Sequence, residues 1–178
     1  MNSPRKSIVR MKGFTLIEVM IVVIALVIIS VLAIPSFSGL LQKYRLKGAA
    51  ETVYMEIVSL RSLAIKKNST AYLSFNETDP WCYGVNMAAA CDCAIASNCM
   101  VDGIEKVADV SGFPSVTMTT TFSDDDISFS ARTGLPSTAG EVELTNEKGK
   151  LIKILVSGLG NVRMCSNDYS GGNMLACP

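Results

Sequence analysis

Three patterns of apolar and polar positions follow one another along the chain. The first is an apolar run from Phe14 to Ile34, "FTLIEVMIVVIALVIISVLAI", in which Glu18 is the only charge. Its 21 residues reach across a hydrocarbon layer of about 30 Å at a helical rise of about 1.5 Å per residue. The second pattern, residues 36–68, sets Phe37, Leu41, Tyr44, Ala50, Val53, Ile57, Leu60 and Ala64 largely at three- and four-residue steps. That spacing predicts an amphipathic helix. Gly39 and Gly48 weaken it locally without ending it. Lys66, Lys67 and Asn68 supply a stop, with charge favourable to the helix dipole.

From Ser69 the period drops to two. "TAYLSFN" sets Ala71, Leu73 and Phe75 against Tyr72 and Ser74, and "SVTMTTTF" alternates Val116, Met118, Thr120 and Phe122. "ISFSA" (127–131), "GEVELTN" (140–146), "KLIKILVS" (150–157) and "NVRMCS" (161–166) are further predicted strands. "TNEKGK" reads as a hairpin turn, with Gly149 free to take a positive φ. Residues 88–112 read as a cysteine-rich loop. An α+β head is expected, one antiparallel sheet packed on the apolar stripe of the long helix.

Composition and charge sharpen this picture. The chain of 178 residues has room for one domain and an appendage. Its formal charge is zero, but residues 1–13 carry Arg5, Lys6, Arg10 and Lys12 with no acid, and residues 69–178 carry six basic and thirteen acidic side chains, net −7. Positive residues before an apolar run stay on the cytoplasmic side, which puts the acidic remainder on the far side. There is no histidine. Ser-His-Asp and Cys-His catalysis and every His-containing metal site are thereby excluded. With no phosphate-binding loop or paired catalytic signature either, an enzyme is the disfavoured class.

The apolar run itself admits three readings. A cleaved secretory signal needs a shorter apolar core and a small-x-small site, which "SVLAIPSFS" offers only weakly. A plain anchor leaves Glu18 as an unexplained cost of about 2–4 kcal/mol deep in lipid. The third reading follows from "KGFTLIEV", which resembles the processing site of type IV prepilins and type II secretion pseudopilins. In that family a membrane peptidase cuts after the glycine, here Gly13. The new first residue, here Phe14, is N-methylated, and the fifth mature residue is a glutamate, here Glu18.

The resemblance implies a prepilin leader over 1–13 and an N-terminal helix over 14–68, transmembrane from 14 to 34 and amphipathic from 36 to 68. Residues 69–178 then form a periplasmic or extracellular β-rich head. It also gives Glu18 a role in assembly. A neighbour's carboxylate neutralises the new amine of Phe14, and the pair costs less in apolar surroundings than either charge alone. Pro35 falls where the family tends to place a helix-breaking proline. It cannot donate to the carbonyl of Val31, so a kink or melted turn is expected there.

The head narrows the resemblance. "ISFSARTGLPSTAGEVELTNEKGKLIKILVSGLGNVRMC" (127–165) is similar to the C-terminal half of FimT/FimU-type minor pilins and GspH-type pseudopilins. "WCYGVNMAAACDC" (81–93) looks like the middle strand and loop of the FimT/FimU branch. A pilin-like fold is implied, the long helix packed on a disulfide-bonded head. The implied function is that of a minor pilin in the initiation or tip complex of a type IV pilus. The alternatives are a GspH-type minor pseudopilin of type II secretion and a DNA-binding minor pilin in DNA uptake. The expected partners are other pilin or pseudopilin subunits, through the N-terminal helix, the prepilin peptidase and methyltransferase, and the bacterial inner membrane. The head would stand in the periplasm before the subunit enters a pilus or pseudopilus fibre.

The six cysteines are Cys82, Cys91, Cys93, Cys99, Cys165 and Cys177. An even count behind a translocation signal reads as disulfides, with fifteen possible connectivities. Four sulfurs at 82, 91, 93 and 99 could hold zinc, but they lack paired C-x-x-C spacing. No metal and no cofactor are expected. Cys91 and Cys93, one residue apart, meet disulfide geometry poorly. "SNDYSGGNMLA" between Cys165 and Cys177 resembles the C-terminal disulfide loop of many pilins, which implies that pair and leaves the other four to pair locally.

The remaining candidates read as surface or packing features. Asp124, Asp125 and Asp126 lack the glycine and distal glutamate of an EF-hand loop, and read as a solvated turn. Lys43, Arg45 and Lys47 read as a solvated or headgroup-facing helix side. Trp81 and Tyr83 are expected to pack under the cysteine loop. FimT-like pilins implicated in DNA uptake use arginines near a G-R-x-R motif, and here the matching positions are Gly160, Asn161, Val162 and Arg163. Only Arg163 of the arginines remains, and a head at net −7 repels phosphates at long range, so DNA is a disfavoured partner.

Overall fold

The computed structural model describes residues 13–169 and 174–177, without the side chains of 31–36. The leader residues 1–12, and with them Arg5, Lys6, Arg10 and Lys12, lie outside the described residues. A single helix, α1 (Leu16–Lys67, 52 residues), follows. It starts where Thr15 caps it. The Thr15 Oγ1 accepts from the Glu18 N–H at 3.3 Å, and the Thr15 carbonyl accepts from Glu18 and Val19 at 3.1 and 3.2 Å. It ends in a Schellman motif. Ser69 N–H donates to the Ala64 carbonyl, Asn68 N–H donates to the Ile65 carbonyl, and Asn68 takes the left-handed φ of 48°.

The chain forms two compact units, Met1–Leu40 and Leu41–Pro178, so residues 41–67 of α1 belong with the head. In the first unit α1 runs on as helix through Pro35. The melted turn expected there is not formed; a proline removes one backbone bond, which a long helix can absorb. Among the described residues no helix is long and apolar enough to cross a membrane. The end of the transmembrane segment expected over 14–34 falls on residues 31–34, whose side chains lie outside those described.

The second unit holds, among the described residues, ten strands: β1 (Ala71–Asn76), β2 (Cys82–Met87), β3 (Met100–Val101), β4 (Ile104–Glu105), β5 (Val107–Asp109), β6 (Val116–Thr120), β7 (Asp126–Phe129), β8 (Gly140–Asn146), β9 (Leu151–Val156) and β10 (Val162–Cys165). They form two four-stranded sheets, in the orders β5-β2-β1-β7 and β10-β9-β8-β6, with β3 and β4 as a separate hairpin. Every pair of these strands is antiparallel. The single sheet expected from the sequence is therefore corrected to two. Residues 88–112 are not all loop either. Three residues of them, β5, close the first sheet by pairing Cys82 with Asp109, Tyr83 with Ala108 and Gly84 with Val107. A strand so short is set by its backbone partners, and too few residues remain for an alternation to show.

The core lies between α1 and both sheets. Leu46, Ala49, Ala50, Val53, Ile57, Leu60 and Ala64 form the buried stripe of the helix. They meet Leu73, Ile127, Phe129, Met118, Leu144 and Ile154 from the strands. Each fully buried Leu or Ile contributes on the order of 1.5–3 kcal/mol. The stripe begins later than its spacing predicted. Phe37, Leu41 and Tyr44 are 66%, 40% and 64% exposed, and the buried residues of the stripe start at Leu46. Gly48 is accounted for here, because a Cβ at that position would lie 3.1 Å from the Phe113 ring.

Candidate functional site

The N-terminal segment carries the residues singled out for processing and assembly. Gly13 precedes the helix and has nothing within 4 Å of where a Cβ would stand. Phe14 is 83% exposed. Glu18 lies in the first turn of α1, one helical turn beyond Phe14. Phe14, Glu18, Val19, Val22 and Val23 border a shallow depression of about 280 Å³. Thr15 and Glu18 have the T-x-x-E spacing of a helix N-terminus, a signal that "TLIE" carries beside its likeness to a processing site.

Beyond that turn the helix is apolar on all sides. The large apolar side chains from Leu16 to Ile29 are between 53% and 80% exposed. A helix apolar all round belongs in a nonpolar surrounding, whether lipid or other protein. Among the described residues of its own unit, nothing supplies one.

In the head, six cysteines form three disulfides: Cys82–Cys93, Cys91–Cys99 and Cys165–Cys177. No free cysteine remains. Alternation along β2 sets the face that Cys82 takes. Trp81, Tyr83 and Val85 enter the main core, whereas Cys82 joins Cys93 and Cys99 in a separate cluster on the opposite face. Trp81 and Tyr83 therefore do not pack under the cysteine loop as expected, because one-residue steps on a strand switch faces. Gly84 shares the loop face. A Cβ there would stand 2.3 Å from Cys99 Sγ and 2.8 Å from Cys99 Cβ, so the disulfide cluster needs a glycine beneath it.

Tyr83, on the core side, has its phenol pushed up to about 12 by burial, with a lesser contribution from the charge of Glu56.

The C-terminal disulfide fastens the tail onto a polar cluster at the start of the head helix. Ser166 Oγ donates to the Leu151 carbonyl at 2.6 Å. Asp168 accepts from the Leu151 N–H and pairs with Lys150, whose hydrogen bond holds its carboxyl below the usual range. Tyr169 accepts from Asn146 Nδ2 at 3.3 Å, and its ring carries the Lys43 ammonium at 5.3 Å. Gln42 donates to Glu147 at 3.2 Å. Residues 170–173 of the loop lie outside the described residues. Position Lys43, read from sequence as a solvated face, thus has an aromatic partner that no local pattern could reveal.

Arg163 projects from β10 beside Leu155 and Leu175, bordering a depression of about 170 Å³. Asp124 and Asp125 lie in an exposed 3-10 turn. Asp126 is raised by partial burial first and then by its two acidic neighbours. Among the described residues no group of three or more His, Cys, Asp or Glu is arranged to hold a metal ion.

Residues 49–160 match the family described as Type II transport protein GspH. Among solved structures the chain is similar to the minor pseudopilin EpsH from the Type 2 Secretion System of Vibrio cholerae, at a TM-score of 0.54 and 10% identity, covering 70% of this chain and 99% of that one. It is also similar to the type IV minor pilin FimU of Pseudomonas aeruginosa strain PAO1, at a TM-score of 0.53 and 15% identity, covering 68% of this chain and 89% of that one. No curated protein matches the chain. At such identities the two structures speak to the fold alone: α+β and pilin-like, with antiparallel sheets.

Proposed function

The chain belongs to the GspH family of type II transport proteins, and on that premise we propose that it is a minor structural subunit of a type IV pilus. In this reading residues 14–34 hold the subunit in the inner membrane, with the head in the periplasm, until assembly draws it into a fibre. The observation that carries it is the uncovered apolar helix between Leu16 and Ile29, attached to a head whose own core is complete. Such a helix is stable in lipid or against the helices of other subunits, and both surroundings belong to one life cycle. Processing by a prepilin peptidase after Gly13 and N-methylation of Phe14 precede assembly. The protein is thus a substrate of these enzymes and a building block.

The type IV pilus is favoured by the cysteine loop over 81–93, which resembles the FimT/FimU branch. A pseudopilus of type II secretion is the second reading. It is favoured by the family description and by the likeness to a minor pseudopilin. DNA contact through Arg163 is a third and weaker one, opposed by the net charge of −7 over 69–178.

Intact mass spectrometry of the membrane-extracted protein tests the processing step, with a chain beginning at a methylated Phe14 as the expected product. A chain that begins at Met1, or after Ala33, would overturn the reading. Deleting the gene then separates the two fibres. Loss of surface pili with secretion intact supports the pilus, and the reverse supports the pseudopilus.

A further inference from the structure

The two four-stranded sheets have four outer edges, at β5, β7, β10 and β6. Among the described residues, three of these edges are met by another part of the chain. Beside β7, Ser137 N–H donates to the Ser128 carbonyl and Ser130 N–H to the Leu135 carbonyl. On β6, the Val116 carbonyl accepts from the Trp81 indole, and the Thr120 N–H donates to Glu77. The tail fastened by Cys165–Cys177 meets the end of β10, where Ser166 N–H donates to the Leu175 carbonyl. Covering an edge in this way keeps it from pairing with other chains. Nothing covers β5.

The open edge of β5 stands beside a groove. Val85 N–H donates to the Lys106 carbonyl and Val110 N–H to the Trp81 carbonyl, so the ladder toward β2 falls at residues 106, 108 and 110. The N–H and carbonyl of Val107 therefore point outward, and they meet no partner among the described residues. Between this edge and α1, depressions of about 240 and 320 Å³ share Glu56, Val85 and Lys106. Tyr83, Ala108 and Leu63 add apolar wall. Glu105 accepts from the Ser97 N–H, and Lys67 pairs with Asp102 at 2.6 Å. Lys66, Lys106 and Glu56 have no ion pair among the described residues, which leaves two ammonium groups to one carboxylate.

We propose that β5 is a docking edge for an extended segment of a different subunit, one that carries a carboxylate among apolar side chains. Outward backbone groups select a segment that can add as a strand. Alternate side chains of that strand enter the groove on the α1 side, where the excess of ammonium groups calls for an acid. With three residues, β5 is too short to hold arbitrary chains by backbone bonds, so the groove decides which segment stays. A minor subunit makes its contacts with unlike neighbours, and this edge requires no like one. Naming the partner a subunit rests on the assembly reading above; the docking itself does not require cleavage after Gly13.

The test uses the full chain in detergent micelles and a library of eight-residue peptides, valine or threonine at alternate positions and the others varied. The parent should select peptides with an acid at one fixed position. A selected peptide, labelled and followed by fluorescence anisotropy, should bind about tenfold more weakly to the Lys66→Glu, Lys106→Glu variant, which in turn should select lysine or arginine there. An added strand turns only alternate N–H groups toward β5, so N-methylation of one alternate set should abolish binding and of the other should not. Val107→Pro removes only an outward N–H and should also abolish it, with the circular dichroism of the parent. Should that variant fail to fold, the two N-methylated peptides still decide.

No selection, selection indifferent to charge, or equal loss with both N-methylated sets overturns the proposal. Self-association of the parent that Val107→Pro removes, without peptide binding, makes the occupant a second copy and overturns it as well. The assay reads the head and not the N-terminus, so its failure leaves the processing result untouched. A chain that still begins at Met1 would sink the assembly reading and leave the peptide result standing.

Discussion

The indole N–H of Trp81 donates to the carbonyl of Val116 at 2.6 Å, and both groups are buried. The bond ties the segment entering β2, in the first sheet, to β6, at the edge of the second. Sheet edges otherwise leave such carbonyls unpaired, and an unpaired buried carbonyl is costly. Phe at this position would keep most of the ring in the core and strand the Val116 oxygen. Trp81→Phe should therefore destabilise the head by about 1–3 kcal/mol. Urea unfolding followed by circular dichroism measures it, since the substitution removes the only tryptophan. An unchanged midpoint would mean that water replaces the indole.

Gly84 lies under the cysteine loop, and Ala there would put a methyl group 2.3 Å from Cys99 Sγ. Neither the disulfide nor the strand backbone is the flexible end of a side chain, so one must shift. Gly84→Ala is expected to lower the yield of fully oxidised protein and to leave reactive thiols among Cys82, Cys91, Cys93 and Cys99. Thiol labelling of the unfolded, unreduced chain counts them. Full oxidation with an unchanged melting temperature would show that the loop adapts.

The sequence disclosed the head where its periodicity was clean and failed where contacts came from afar. The strand containing Val142 and Leu144 alternates against Glu141, Glu143 and Thr145, the one containing Ile152 and Ile154 is centred on Lys153, and both stand where the sequence pattern put them. The helix stripe from Ala50 to Ala64 was equally legible. Phe37, Leu41 and Tyr44 continue the same spacing, yet they stay exposed, because spacing states which face is apolar and not how far the cover extends. The strand Val107–Asp109 left no mark, being defined by the backbone of Cys82 to Gly84. The pairing of Cys165 with Cys177 was implied by resemblance alone. Lys43 over Tyr169 spans most of the chain, and no local window contains both residues.

Tyr83 makes the head sensitive to alkali. Burial, and secondarily the charge of Glu56, raise its phenol from 10.0 to about 12. A raised value in the fold means that the neutral phenol is favoured there. The contribution to stability is complete below about pH 10 and is lost as pH rises through about 12. The head should unfold more easily across that window, and Tyr83→Phe should flatten the dependence. Denaturation midpoints taken at about pH 9 and about pH 11.5 check this. Equal slopes for parent and variant would place the alkaline transition on another group.

Glu18 offers the sharpest test of the assembly reading. In a single subunit in the bilayer it lies one turn from Phe14, near enough to the interface for its carboxylate to stay hydrated. In a fibre that escape closes, and an unpaired carboxylate among apolar helices costs several kcal/mol, of the order that drives buried charges to find partners. The methylated amine of a neighbour's Phe14 is the partner the reading supplies, so correct stacking becomes the favourable state. Glu18→Ala should leave membrane insertion and cleavage after Gly13 nearly intact and lower incorporation into fibres by about tenfold or more, the loss of one well-placed pair. Glu18→Gln should do the same, because the amide keeps the shape and loses the charge. Its Thr15 cap survives both changes, since the hydroxyl accepts from the backbone N–H of residue 18 and not from its side chain. Helix loss would therefore not explain a defect. The measurement compares mature protein in membranes with that in sheared fibres for the parent and both variants. Parent-level incorporation of Glu18→Ala would remove the pairing role from this subunit. Retained function in that case would place it at the fibre tip, where no subunit stands ahead to be paired.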